Sequence, residues 1–286
     1  MRNQELEKQL TSPSKNSRLE KFGKGLTLFC LVLIVFIVAM ILIFVAQKGL
    51  STFFVDGVNP LTFLFGSKWD PSSGSFGALP MILGSFTVTI LSALIATPIA
   101  IGAAVFMTEV SPKYGAKILQ PAIELLTGIP SVVYGFIGLQ VIVPFVRSIF
   151  GGTGFGILSG VCVLFVMMDS LKAVPRHYKE ASLAMGATRW QTIWRVILNA
   201  ARPGIFTAIM CGMARAFGEA LAIQMVVGNS AVVPNSLTTP AATLTSVLTM
   251  GIGNTVMGTV QNNVLWSLAL VLLIMSLGFN MLVKFI

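Results

Sequence analysis

Arg215 and Glu219 stand four residues apart in the stretch GMARAFGEALAIQMVVG, residues 212–228, inside a long apolar run. A guanidinium is a planar fork that donates parallel hydrogen bonds to an oxyanion and keeps its charge. A carboxylate beside it accepts a hydrogen bond from a ligand hydroxyl and repels an anion that has none, so the two charges together read as attraction plus rejection. Their spacing also permits a different reading. On one continuous helix they lie a turn apart on the same face and neutralise each other, as a packing salt bridge. Either way they need a reason to be there, because a charge at mid-bilayer costs about 2.5–3.5 kcal/mol on insertion scales. Gly212, Ala214, Ala216, Gly218 and Ala220 surround them and leave room for a close helix contact or a cavity.

The elements that position this pair are membrane spans. The chain has 286 residues, 55% hydrophobic and 10% charged, with a mean hydropathy of +0.87. Soluble domains carry about 25% charged residues, so a soluble enzyme is excluded and the chain is an integral membrane protein. Runs long enough to cross the hydrocarbon core predict an all-α fold of six spans near 26–46, 79–107, 119–146, 155–174, 203–228 and 263–284. These form one transmembrane domain over 26–284. A polar tail without apolar periodicity precedes it at 1–25, carrying six Lys or Arg and three Glu. The first run is too long for a signal-peptide core and is expected to stay as an anchor.

Placing the amino terminus in the cytoplasm puts fifteen of the nineteen Lys and Arg inside and leaves only Lys48, Lys68 and Arg147 outside. The positive-inside rule therefore predicts that both termini are cytoplasmic. The same reading accounts for the net charge of +9 as topology rather than nucleic-acid binding. Two outer segments, 47–78 and 229–262, are long and rich in turn residues, and the 229–262 segment reads as partly re-entrant or surface-lying.

Other residues carry weaker signals. Glu124 follows Pro121 by three residues, where a helix start would favour an acid. TGIPS, residues 127–131, puts Gly and Pro inside a span, and such a break brings Ser131 and nearby amides to a pathway or simply kinks the helix. Asp169 reads as topological or capping. Cys30, Cys162 and Cys211 fit no metal spacing and His177 has no neighbouring ligands, so no metal site and three free thiols are expected.

The inner segment VPRHYKEASLAMGATRWQTIWRVILNAARPGI, residues 174–205, is too polar to span and too regular for a linker. It predicts two short helices meeting at Gly186. Here the sequence resembles the EAA loop of ABC-importer permeases: Glu180, Ala181 and Ser182, then Gly186, then Val196 and Leu198. Ser182 replaces the second Ala of that motif, and Asn199 stands where Pro is usual. Together with ELLTGIPSVVYGF (124–136), KEASLAMGATRWQT (179–192), ARAFGEALA (214–222) and the helix pair of 76–109, the chain resembles the phosphate-specific permeases of the Pst system over about residues 26–284. Of that system's two permease types it is more similar to the PstC type than to the PstA type.

This resemblance implies a six-helix subunit of the MetI-like fold in a bacterial inner membrane, importing inorganic phosphate. Its partners would be a PstA-like permease, two PstB-like ATP-binding subunits, an extracytoplasmic PstS-like phosphate-binding protein and membrane lipid, with no nucleic acid. It also implies that Arg215 and Glu219 belong to the transport path, with Ser131 and Glu124 as further candidates. Phosphate near neutral pH carries one or two P–OH groups for Glu219 to accept, whereas sulfate has none. The coupling loop over 174–202 would meet the ATP-binding subunit through Glu180, Ala181, Ser182, Gly186, Ala187 and Arg189. The sequence has no GxxxxGK[ST] loop to cradle phosphates, so this chain is not expected to be an ATPase or to bind a cofactor; ATP and Mg would sit on partner subunits. Two other readings stay open: a permease of the same architecture for sulfate or molybdate, and an ion-driven secondary transporter, a class that often shows inverted repeats. No convincing repeat is visible.

Overall fold

The structure is a computed structural model that describes residues 15–111, 114–167 and 188–284. The chain forms two compact units, 1–47 and 48–286. The first is occupied by most of α1 (Lys15–Phe54), a helix that begins within the expected polar tail. Residues 22–38 of α1 are exposed on every face although mostly Leu, Val, Ile and Phe. An apolar helix of that kind suits lipid as its solvent.

The second unit opens with α2 (Pro60–Phe65), capped by the Asn59 side chain, whose oxygen accepts from the Leu61 amide at 2.9 Å. A short hairpin follows, β1 (Trp69–Asp70) against β2 (Ser75–Phe76), with Trp69 opposite Phe76 and Asp70 opposite Ser75. Gly74 turns the chain at φ 72°, a conformation that favours glycine. The Asp70 carboxylate accepts from the Ser72 hydroxyl at 2.5 Å and the Ser72 amide at 3.1 Å. Hydrogen bonds from the hydroxyls of Ser72 and then Ser73 pull its pKa from 3.8 down to about 2. Because the folded value is depressed, the contribution of Asp70 is complete above the ordinary carboxylate range and fades as pH falls from near 3.8 toward 2. Trp69 fluorescence, reporting on the adjacent edge-on Phe76 ring, is expected to change across that window. In Ser72→Ala the change moves to higher pH; an unaltered midpoint would dissociate Asp70 from hairpin order.

Behind the hairpin, α3 (Leu79–Val105) runs on through a π-helical turn to Val110. Its small residues let other segments approach closely: a Cβ on Gly84 would collide with the Ala242 carbonyl oxygen. The Ser85 hydroxyl accepts from the Leu244 amide at 2.9 Å. α7 (Ile157–Met167) packs on α3 in the same direction, Gly160 against Val88 and the Val161 carbonyl toward the Ser92 hydroxyl. Between them in the chain lie α4 (Gln120–Gly128), α5 (Ser131–Ile137) and α6 (Val143–Phe150), the last two joined by a π-helical turn.

After residue 188 come a first turn at Arg189–Gln191, a π-helical stretch Thr192–Ile197, α8 (Leu198–Phe217) and α9 (Leu221–Val226). The chain then returns into the bundle, where residues 241–246 are all buried, and forms α10 (Leu244–Ile252) and α11 (Val260–Lys284). The end of α1 from Lys48 onward lies antiparallel to α11. Gly49 meets Leu270, the Ser267 hydroxyl donates to the Gly49 carbonyl at 2.7 Å, and the Asn263 amide donates to Asp56 at 2.9 Å. Among the described residues the core has three parts, centred on Phe63, Met81 and Leu268, on Val88, Val161 and Ile223, and on Tyr134, Val163 and Ala222.

Among the described residues five helices are long and apolar enough to cross a membrane: Phe22–Phe54, Leu79–Val110, Ser131–Phe150, Arg189–Phe217 and Val260–Leu282. The expected span at 155–174 corresponds to the shorter α7, and its inner end lies outside the described residues. The count of six is thus neither met nor contradicted. The helix expected to start near Pro203 instead begins with the Thr188 cap, and Pro203 lies inside it.

Candidate functional site

The two charges do not share a helix. α8 ends at Phe217, and α9 starts at Leu221 after a break at residues 218–220. The expected one-turn stacking of Arg215 on Glu219 is therefore corrected. Gly218 offers no side chain to hold the helix, and the amides of Gly218 and Glu219 turn back to the carbonyls of Arg215 and Ala216 at 3.0 and 3.2 Å. Arg215 occupies the last turn of α8 and is exposed, where a cation also meets the negative end of the helix dipole favourably. Glu219 is half-buried, its carboxylate 3.5 Å from the Ala222 amide.

The backbone of this break is supported from across the bundle. Thr245 donates its hydroxyl to the Glu219 carbonyl at 3.1 Å, and the Thr243 and Thr245 hydroxyls are 3.1 Å apart. Thr243 in turn caps α10 through a reciprocal box with Ser246. A freed carbonyl inside a membrane protein needs such a partner, because no bulk water is at hand. Phe217, just before the break, packs edge to face with Phe86 and at a tilt against Phe279, at centroid distances of 5.1 and 4.9 Å, and these contacts hold the end of α8.

Another break lies alongside. Ile129 and Pro130 are extended, with ψ of 128° and 139°, so α4 stops at Gly128 and α5 restarts at Ser131. The Tyr134 hydroxyl donates to the Leu126 carbonyl at 2.6 Å and straps the two halves together. α5 and α9 then run in the same direction: Gly135 meets Ala222, and three residues on Gly138 meets Val226, at 2.9 Å from the position of a Cβ in each case. This register puts Ser131 and the break at 218–220 at the same end of the pair, so two interrupted helices begin again at one level. Half-helices that start side by side point their positive ends the same way.

Glu124 is placed differently from the expectation. Helical backbone already runs through Gly115–Leu119, so Glu124 lies within a helix and not at its first turn; the Gln120 side chain donates to it at 2.9 Å. Arg189 is exposed at the first position after a capping box in which Thr188 and Gln191 satisfy each other's amides. Glu180, Ala181, Ser182, Gly186, Ala187, Asp169 and His177 lie outside the described residues. Among the described residues no His, Cys, Asp or Glu cluster could hold a metal ion, and Cys30, Cys162 and Cys211 are free thiols.

Sequence reasoning did not single out the Tyr134 strap, the Thr245 support or the close approaches at Gly135 and Gly138. The two glycines at a spacing of three were a visible signal for close helix packing. The long-range partner of Thr245 left none.

Residues 96–286 match the family described as "Binding-protein-dependent transport system inner membrane component". The chain belongs to that family. It is 48% identical to the probable ABC transporter permease protein YqgH of Bacillus subtilis, over 99% of this chain and 96% of that protein. It is 31% identical to the phosphate transport system permease protein PstC of Xylella fastidiosa, covering 76% of this chain and 77% of the relative. The PstC of Haemophilus influenzae is 30% identical, with 89% and 88% covered. A chain of the inward-facing MetNI methionine ABC transporter superposes with a TM-score of 0.50 at 22% identity, over 73% of this chain and 93% of that one. At that identity the likeness speaks to the fold, which is the helical MetI-like permease fold expected from the motifs. The permease is thus a multi-pass membrane subunit of an ABC importer that works with a binding protein and ATP-binding subunits, and the resemblance to PstC-type permeases read from its motifs is borne out.

Proposed function

We propose that this permease imports inorganic phosphate, and that Arg215, Glu219 and Ser131 line its path. The observation carrying this reading is Arg215 itself, an exposed cationic residue at the end of a broken helix within a segment long and apolar enough to span a membrane. A charge facing outward there is costly against lipid, so a wet path or a neighbouring subunit is the surface it suits. The reading places the path between this chain and a PstA-like permease, with PstB-like subunits binding ATP and Mg and a PstS-like protein delivering phosphate. The chain itself holds neither ATP nor a cofactor. Motion from the ATP-binding subunits enters through Glu180, Ala181, Ser182, Gly186, Ala187 and Arg189. Support for phosphate over another oxyanion comes from the PstC-type relatives and from the pairing of a carboxylate with a guanidinium, which suits an anion that still carries a proton.

Uptake of radiolabelled phosphate by vesicles containing the assembled complex tests this. Phosphate transport with sulfate and molybdate excluded is the expected result; uptake of either of those instead would replace the substrate.

The inside position of both termini belongs to the same proposal. A cysteine at Ser73 is expected to react with an impermeant thiol reagent added from outside, and one at Thr188 only after the membrane is opened. Reversed labelling would overturn the orientation and the assignment of partners with it.

A further inference from the structure

The helical rod Arg189–Phe217 has two unlike faces at its beginning. Thr192, Ile193, Ile197 and Ala201 are buried in the bundle. Trp190 and Trp194 stand 64% and 55% exposed, edge to face with ring centroids 5.7 Å apart, and Arg195 and Arg202 are exposed along the same stretch. Residues 188–217 contain four Arg and no Asp or Glu. The rod runs without interruption into its apolar part, so this stretch meets the bilayer at its edge. Two large indoles held out from the protein are unfavourable in water but suit the headgroup layer, where an apolar ring and a wet N–H are both satisfied. Guanidinium groups in the same layer bind phosphate diesters as planar forks and are attracted to the anionic inner leaflet.

We propose that Trp190, Trp194, Arg195 and Arg202 form a binding site for anionic phospholipid headgroups on the inner leaflet. The inference rests on the inside position of residue 188 in the proposed topology. The indoles set the depth of the helix and the arginines select negative headgroups over zwitterionic ones. Arg189, at the capped start of the rod, is left for the coupling contact. Asn199 takes no part, since its side-chain amide is held by the Arg195 carbonyl at 2.7 Å.

Of the four tryptophans, Trp69 and Trp266 can be replaced by Phe to leave only the pair. In nanodiscs of phosphatidylcholine with phosphatidylglycerol, lipids brominated near the headgroup are expected to quench this fluorescence more strongly than lipids brominated near the methyl end. The unaltered chain, in native mass spectrometry, is expected to retain phosphatidylglycerol over phosphatidylcholine. Arg195→Gln and Arg202→Gln should each weaken that retention about fivefold, the worth of one basic residue near an anionic surface. The experiment is repeated with the ATP-binding subunits present. Absence of bromine quenching overturns the proposal, as does iodide quenching from the aqueous phase that only the added subunits suppress; the latter makes this face a protein contact. Retention of both lipids alike overturns the headgroup selectivity. A topology error would show separately, as labelling of the Thr188 cysteine from outside.

Discussion

Arg215→Met, Glu219→Gln and the two changes combined are each expected to reduce phosphate uptake to background while the complex still assembles. The combination carries the argument. Breaking a buried ion pair strands one charge, whereas removing both strands none, so a pair kept for packing would leave the double variant active. The structure sharpens this expectation. With a break at residues 218–220, the charges sit on two separate elements rather than a turn apart on one continuous helix. Arg215→Lys adds a test of shape, since it keeps the charge and loses the planar fork; uptake is expected to fall by about 10-fold or more, the scale of one lost charge-assisted hydrogen bond. Vesicle uptake assays, with complex integrity checked by size-exclusion chromatography, measure all four. Near-normal transport by the double variant would make both residues structural.

Gly84→Val is expected to prevent the permease from accumulating at all. The new Cβ would run into the Ala242 carbonyl oxygen, and that atom is backbone, unable to swing aside as a side-chain end could. The neighbouring bond from the Leu244 amide to Ser85 holds the returning segment against α3 at that point. Overpacking a well-filled core costs about 1–3 kcal/mol and more where nothing can move, a large share of a domain's total stability of about 5–15 kcal/mol. Gly102→Ala on the same helix serves as the control. It is exposed, with open space around its Cβ position, and exchanging glycine for alanine in a helix gains up to about 1 kcal/mol. Fluorescence-detected size-exclusion chromatography and thermal melts in detergent compare the two. A Gly84→Val protein that elutes and melts like the parent would mean that α3 and the returning segment are not locked together.

Composition alone determined that this chain lives in a membrane, because a 10% charge content and runs of about twenty apolar residues have no soluble solution. The apolar helices starting near residues 26, 79 and 263 were legible for the same reason: length and hydropathy are properties of a segment by itself. So was the interruption at Ile129–Pro130, where proline removes an amide donor and constrains the residue before it. The family was legible too, from the 124–136, 179–192 and 214–222 stretches.

The break after Phe217 was not legible. Residues 212–228 are apolar, rich in good helix formers and free of proline, so local propensity predicts one continuous helix through Arg215 and Glu219. What ends it is distant: Thr245 supplies a hydroxyl to the Glu219 carbonyl, Phe86 and Phe279 hold Phe217, and Gly135 accepts Ala222 on the far side. Each of those partners lies at least 26 residues away in sequence, and no spacing rule connects them to the break. Glu124 shows the converse. Its position after Pro121 suggested a helix start, but the helix had already begun upstream and proline was accommodated inside it. The sequence by itself therefore determined solvent, class and family, which depend on composition and local pattern. Only the tertiary structure decided that the helix carrying Arg215 is interrupted after Phe217 and that Arg215 is exposed while Glu219 is half-buried, since both follow from contacts between segments far apart in the chain.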